Sequence, residues 1–123
     1  MGGCRNPSSN PSKLMASESL VTLNQDNFQS EIESSTTPVI VDFWAEWCGP
    51  CRMLTPILEQ LASEKPELVK IGKVNVDDCP ELASQFGVRS IPMLAFFKDG
   101  KQVDTVVGVQ SKDALIKRLE ALA

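Results

Sequence analysis

Val41-Asp42-Phe43-Trp44-Ala45-Glu46-Trp47-Cys48-Gly49-Pro50-Cys51 is the stretch from which the rest of the chain can be read. Its first half continues an almost unbroken apolar, β-branched run that starts at Val39, the pattern of a central strand covered on both faces. Its second half opens a helix over 51–65, with Met53, Leu54, Ile57, Leu58 and Leu61 at helical spacing. Pro56 falls inside that helix, removes a hydrogen bond to the Arg52 carbonyl and predicts a kink. A strand feeding a helix places the first helical residues at the carboxyl edge of a sheet, where α/β proteins present their ligands.

Working outward, 20–23 reads as a short strand. Asn24 or Asp26 is positioned to cap a helix carrying Phe28 and Ile32. On the other side, 69–76 is a second buried strand, and 80–86 a short helix with Pro80 in its first turn. The segments 93–97 and 102–107 are strands joined by Lys98-Asp99-Gly100-Lys101, a hairpin signal. Ser111 caps a last helix with Leu115, Ile116, Leu119 and Leu122 on its apolar side. This order predicts an α/β fold, a three-layer α/β/α sandwich with a central mixed sheet. The early strands are expected parallel and the hairpin antiparallel.

Residues 1–17 read as a flexible tail and 18–123 as the single domain. The run Asn6-Pro7-Ser8-Ser9-Asn10-Pro11-Ser12 can bury nothing and breaks both helix and strand. Met15 could serve as the start of the chain. Met1-Gly2-Gly3-Cys4 invites a lipidation reading, but Asn6 stands where a myristoylation pattern wants Ser or Thr. A net charge of −4 gives no basic stripe for nucleic acid, and no apolar run is long enough for a membrane span. The opening segment has no apolar core of a secretory leader, so a reducing, cytoplasmic setting is expected. There, a close pair among the chain's four cysteines is more often catalytic or metal-binding than structural.

Cys48 and Cys51 share one helix face, so their sulfurs can meet. Cys48 is expected near the helix N-cap, exposed, with unpaired amides and the positive dipole end aimed at its sulfur, which lowers a thiol's pKa. Cys51, one turn in, is expected to be more buried and less acidic. Pro50 stiffens the first turn. Two other readings stay open: a zinc half-site, which would need ligands from a second copy because the chain has no His, and a pair of inert buried thiols. Asp42 is a carboxylate inside an apolar strand, so burial should raise its pKa. A structural ion pair with Lys73 on the neighbouring strand is one role for it.

The stretch 41–51, followed by Pro56, resembles the signature of the thioredoxin family almost letter for letter, and the likeness in element order runs from about Ser19 to the C-terminus. The resemblance implies the thioredoxin fold, with five strands and four flanking helices, and a thiol–disulfide oxidoreductase. The resemblance further implies tuned cysteine acidity and a strongly reducing potential. Cys48 is then the nucleophile, Cys51 the resolving thiol, the two forming the redox-active disulfide. Asp42 accepts a proton from Cys51 during release, by way of water, and is tuned by Lys73. Pro92 is held cis, and the Ile91 backbone pairs with an extended substrate segment. A plain trans proline at the start of a strand is the other possibility.

Trp47, Gly49, Pro50, Ile91, Pro92, Gly108 and Val109 form the implied substrate-binding surface, with Val76, Val88 and Val107 in the same apolar rim. For Val107 and Val109 a core position is the competing reading. Trp44 is expected to pack beneath the site. Met93 departs from the Thr that often follows this proline, which could alter the rim. Cys79 is either a regulatory thiol or an ordinary cap position, and Cys4 an idle thiol.

The implied partners are disulfide-containing proteins and a flavin- and NADPH-dependent thioredoxin reductase, with the chain a monomer that holds no cofactor or metal. Gly49-Pro50 favours a reductant over an oxidant or isomerase of the same fold. The competing functional class is a binding subunit that uses the apolar rim without turnover.

Overall fold

In the computed structural model, which describes residues 20–122, the run 39–44 forms β2 (Val39–Trp44), the middle strand of the sheet. The other strands are β1 (Leu20–Thr22), β3 (Lys70–Asn75), β4 (Met93–Lys98) and β5 (Lys101–Val107). They lie in the order β1-β3-β2-β4-β5. β3 runs parallel to both β1 and β2, while β4 is antiparallel to β2 and to β5. Four helices flank this mixed sheet: α1 (Phe28–Glu33), α2 (Gly49–Glu64), α3 (Pro80–Gln85) and α4 (Lys112–Leu122). The expectations for the tail, Met15 and Cys4 lie outside the described residues.

Alternation along β2 divides the core in two. Val39, Val41 and Phe43 join Phe28, Ile32, Leu82, Met93 and Phe97 in the layer of α1 and α3. Ile40 joins Leu54, Leu58, Leu61, Leu115 and Leu119 in the layer of α2 and α4. The sandwich therefore has three layers. Among the described residues no helix is long and apolar enough to cross a membrane.

Local signals explain most boundaries. The β4–β5 hairpin turns through Asp99 (φ 56°) and Gly100 (φ 82°), two consecutive left-handed residues that suit the twist of the strands. The Ser111 hydroxyl accepts from the Ala114 amide at 3.1 Å and caps α4. α2 continues through Pro56 to Glu64. The start of α1 differs from expectation. Its N-cap is Asn27, not Asn24 or Asp26, and the Asn27 side chain makes no capping bond. Asn24 Oδ1 instead accepts from the amides of Asp26 and Asn27, while Asn27 Oδ1 accepts from the Asn24 amide at 2.7 Å. Their side chains close a turn between β1 and α1, a local bond that competes with capping.

Candidate active site

β2 ends at Trp44, and four residues later Cys48 is the N-cap of α2 in an extended conformation. Pro50 occupies the first turn, where its missing N–H costs little. One turn of helix brings Cys51 back under Cys48, and the two form a disulfide with their Cα atoms 5.3 Å apart. The Cys51 amide donates to Cys48 Sγ at 3.2 Å. A helix N-terminus thus aims a backbone N–H at this sulfur, the arrangement that favours a thiolate once the bond is reduced.

Exposure of Cys48 needs correction. Cys48 is 5% exposed and Cys51 1%, so the order is as expected but Cys48 does not stand open. In the disulfide its Sγ lies 3.7 Å from the Ile91 carbonyl oxygen. The residues on either side, Trp47, Gly49 and Pro50, are exposed, Trp47 at 68%.

The Ile91–Pro92 bond is cis, and this corner is tied to the loop after β5 by the Gly108 amide, which donates to the Pro92 carbonyl at 2.8 Å. Ile91, Val76 and Trp44 pack against a small cluster of Ala45, Cys48 and Cys51. Val107 and Val109 are exposed, which removes the core reading for both. Val88 packs instead in the layer of α1 and α3, as does Met93, which is buried there and takes no part in the rim. Cys79 is the buried N-cap of α3.

Asp42 is fully buried and sits beside Lys73 in the parallel register of β2 and β3. The expected ion pair is absent. Both carboxylate oxygens are buried without a hydrogen-bond partner, and the Lys73 ammonium instead lies over the Trp44 ring, 4.3 Å from its centroid. Burial pushes Asp42 from its ordinary 3.8 up to about 7, with the Lys73 charge opposing the rise. Burial lowers the Lys73 pKa, opposed by Asp42 and by Glu59 of α2.

One contact had no counterpart in the sequence reading. The Trp47 indole N–H donates to Asp77 Oδ2 at 2.9 Å. Asp77 belongs to a turn in which Asn75 Oδ1 accepts from the amides of Asp77 and Asp78. Asn-x-Asp-Asp is a legible turn signal, but its partner thirty residues earlier is not.

The Thioredoxin family profile matches residues 19–121. Thioredoxin of Chlamydia caviae is 56% identical over 95 residues, covering 77% of this chain and 90% of that protein. Thioredoxin 1 of Synechococcus elongatus is 52% identical over 93 residues, covering 76% and 87%. Thioredoxin of Rickettsia bellii is 50% identical over 91 residues, covering 74% and 87%. With the disulfide at the mouth of α2 and a match that spans the described fold, the chain belongs to the thioredoxin family and is a thiol–disulfide oxidoreductase acting on disulfide-containing proteins.

Proposed function

We propose that the chain works as a reductant of protein disulfides, with Cys48 as nucleophile and Cys51 as resolving thiol. The observation that carries this reading is the Cys51 amide pointing at Cys48 Sγ from the N-terminus of α2. The Cys48 thiolate attacks one sulfur of the substrate disulfide, and the other sulfur leaves as a thiolate and takes a proton. Cys51 then gives its proton to Asp42 and attacks Cys48 Sγ, expelling the first substrate sulfur. Two electrons have passed to the substrate, and Cys48 and Cys51 are left as the disulfide. A carboxyl held near 7 exchanges its proton close to neutral pH, which supports Asp42 as the acceptor and Lys73 as the charge that tunes it.

Trp47, Gly49, Pro50, Ile91, Pro92, Gly108 and Val109 form the docking surface in this reading. The exposure of Trp47 and Val109 and the tie between Gly108 and Pro92 support it. An extended substrate segment pairs with the Ile91 backbone. A flavin- and NADPH-dependent reductase restores the dithiol, and the chain acts as a cytoplasmic monomer.

Reduction of insulin disulfides, driven by dithiothreitol or reductase, tests the assignment. Cys48→Ser falls to the uncatalysed rate, and an unchanged rate refutes the role of Cys48. Cys51→Ser accumulates mixed disulfides with substrate, and their absence counts against Cys51 as the resolving group.

A further inference from the structure

Lys73 and Asp42 stand side by side in the sheet, yet they do not pair. Opposite charges this close ordinarily draw together, because each favours the ionised form of the other. Here the ammonium rests 4.3 Å from the centroid of the Trp44 ring. An indole face attracts a cation through its quadrupole, more strongly than the face of phenylalanine, and more so away from water. Trp44 is two residues from Asp42 on β2, so it lies on the same face of the sheet. It also packs against the cluster that contains Cys48 and Cys51. One side chain therefore holds the lysine and packs against the cluster that contains the cysteine pair.

We propose that Trp44 is a positioning residue whose indole face holds the Lys73 ammonium off the Asp42 carboxylate, leaving that acid free to exchange a proton. This rests on the proton role assigned to Asp42 under the proposed function. Were Lys73 to close onto Asp42, the carboxylate would be stabilised in its ionised form and become a weaker base toward the Cys51 thiol. The ring contact keeps the cation near enough to be felt and too well held to neutralise the acid.

The groups acting on Asp42 are few. Lys73 of β3 is the charge that acts on Asp42, and Glu59 of α2 acts in turn on Lys73; α2 also carries Cys51, a titrating thiol only when reduced. β4 presents Leu94 in register, and α4 adds Leu115 and Leu119 to the same layer, all uncharged.

The test uses the oxidised full-length chain, in which Cys51 does not titrate. The Asp42 side-chain carboxyl is followed by carbon NMR across the pH range in wild type, Trp44→Leu, Lys73→Met and the double variant. Trp44→Leu releases the ammonium, and the Asp42 midpoint falls by about one pH unit or more. Lys73→Met raises the midpoint, and in that background Trp44→Leu has no further effect. Trp44→Phe keeps an aromatic ring in the core and gives a fall of the same sign but smaller size.

An equal fall with and without Lys73 means that leucine merely admits water to Asp42, and overturns the proposal. So does a midpoint that moves in neither Trp44 variant. Because the readout is titration, it stands apart from the proton role itself. Wild-type turnover in Asp42→Asn would defeat that role while leaving the coupling between Trp44 and Lys73 intact.

Discussion

The two faces of β2 are built to opposite rules. Toward α1 and α3 the strand sends Val39, Val41 and Phe43 into an apolar cluster. There Phe86 meets Phe28, Phe43 and Phe97, with ring centroids 5.3 to 5.9 Å apart. Toward α2 and α4 the alternate residues are Ile40, Asp42 and Trp44, and the layer contains an unpartnered carboxylate, a half-buried lysine and the cysteine pair. One strand thus supplies a face selected for packing and a face that holds charge at the cost of stability. Burial of an ionised group without a partner is unfavourable, so its presence at a redox centre points to chemistry.

Phe43→Ala probes the packing face most severely. Phe43 is fully buried and lies on Phe86, so its truncation should cost about 3–5 kcal/mol in denaturant unfolding. The Asp42 titration should be unchanged, because the deleted ring is on the opposite side of the sheet. A loss below about 1 kcal/mol would mean that the aromatic layer collapses into the space and contributes less than its burial suggests.

Asp42→Asn acts on the other face, and with the opposite sign. The folded protein holds the Asp42 proton up to about pH 7, whereas the unfolded chain releases it near 3.8. Below that lower value both states are protonated and the residue adds no pH dependence. Between the two values the unfolded state binds fewer protons than the folded one, so stability falls as pH rises, and above about 7 the full penalty remains. The separation corresponds to an upper bound of roughly 4 kcal/mol. Urea unfolding of the oxidised protein should therefore find Asp42→Asn more stable than wild type at pH 8, with the gain vanishing near pH 4. A gain of equal size at both pH values would trace it to packing and not to charge.

This difference between faces also marks how far the sequence could be read. The apolar run 39–44, the helical spacing after Cys51 and the Asp99-Gly100 turn carry the architecture, because each is a local signal that packing reinforces. The apolar layer follows from the same run, because alternate side chains of a strand point to opposite faces. At the site, the register that sets Asp42 beside Lys73 was legible, but the side-chain contacts were not. Whether Lys73 turns to Asp42 or to Trp44 depends on competing attractions of similar size, and the link from Trp47 to Asp77 joins two loops with no shared pattern. The Asn24 turn was missed for a related reason. Several Asx residues in a row offer alternative local bonds, and spacing does not choose among them.

The smallest effect comes at Gly72, where the two faces meet within one strand. Its neighbour Lys73 belongs to the charged layer, but Gly72 itself lies under Leu23 on the apolar side. A Cβ at position 72 would stand 2.8 Å from Leu23 Cγ, closer than carbon atoms can approach. Gly72→Ala should therefore displace Leu23 and cost about 1–3 kcal/mol. Adding Leu23→Ala makes room, so the pair should lose less than the sum of the single changes, the mark of a shared contact. The Asp42 midpoint should stay where it is in all three variants. If Gly72→Ala moves it, strain on the apolar side reaches Lys73 through the backbone of β3, and the separation of packing from chemistry along this sheet does not hold.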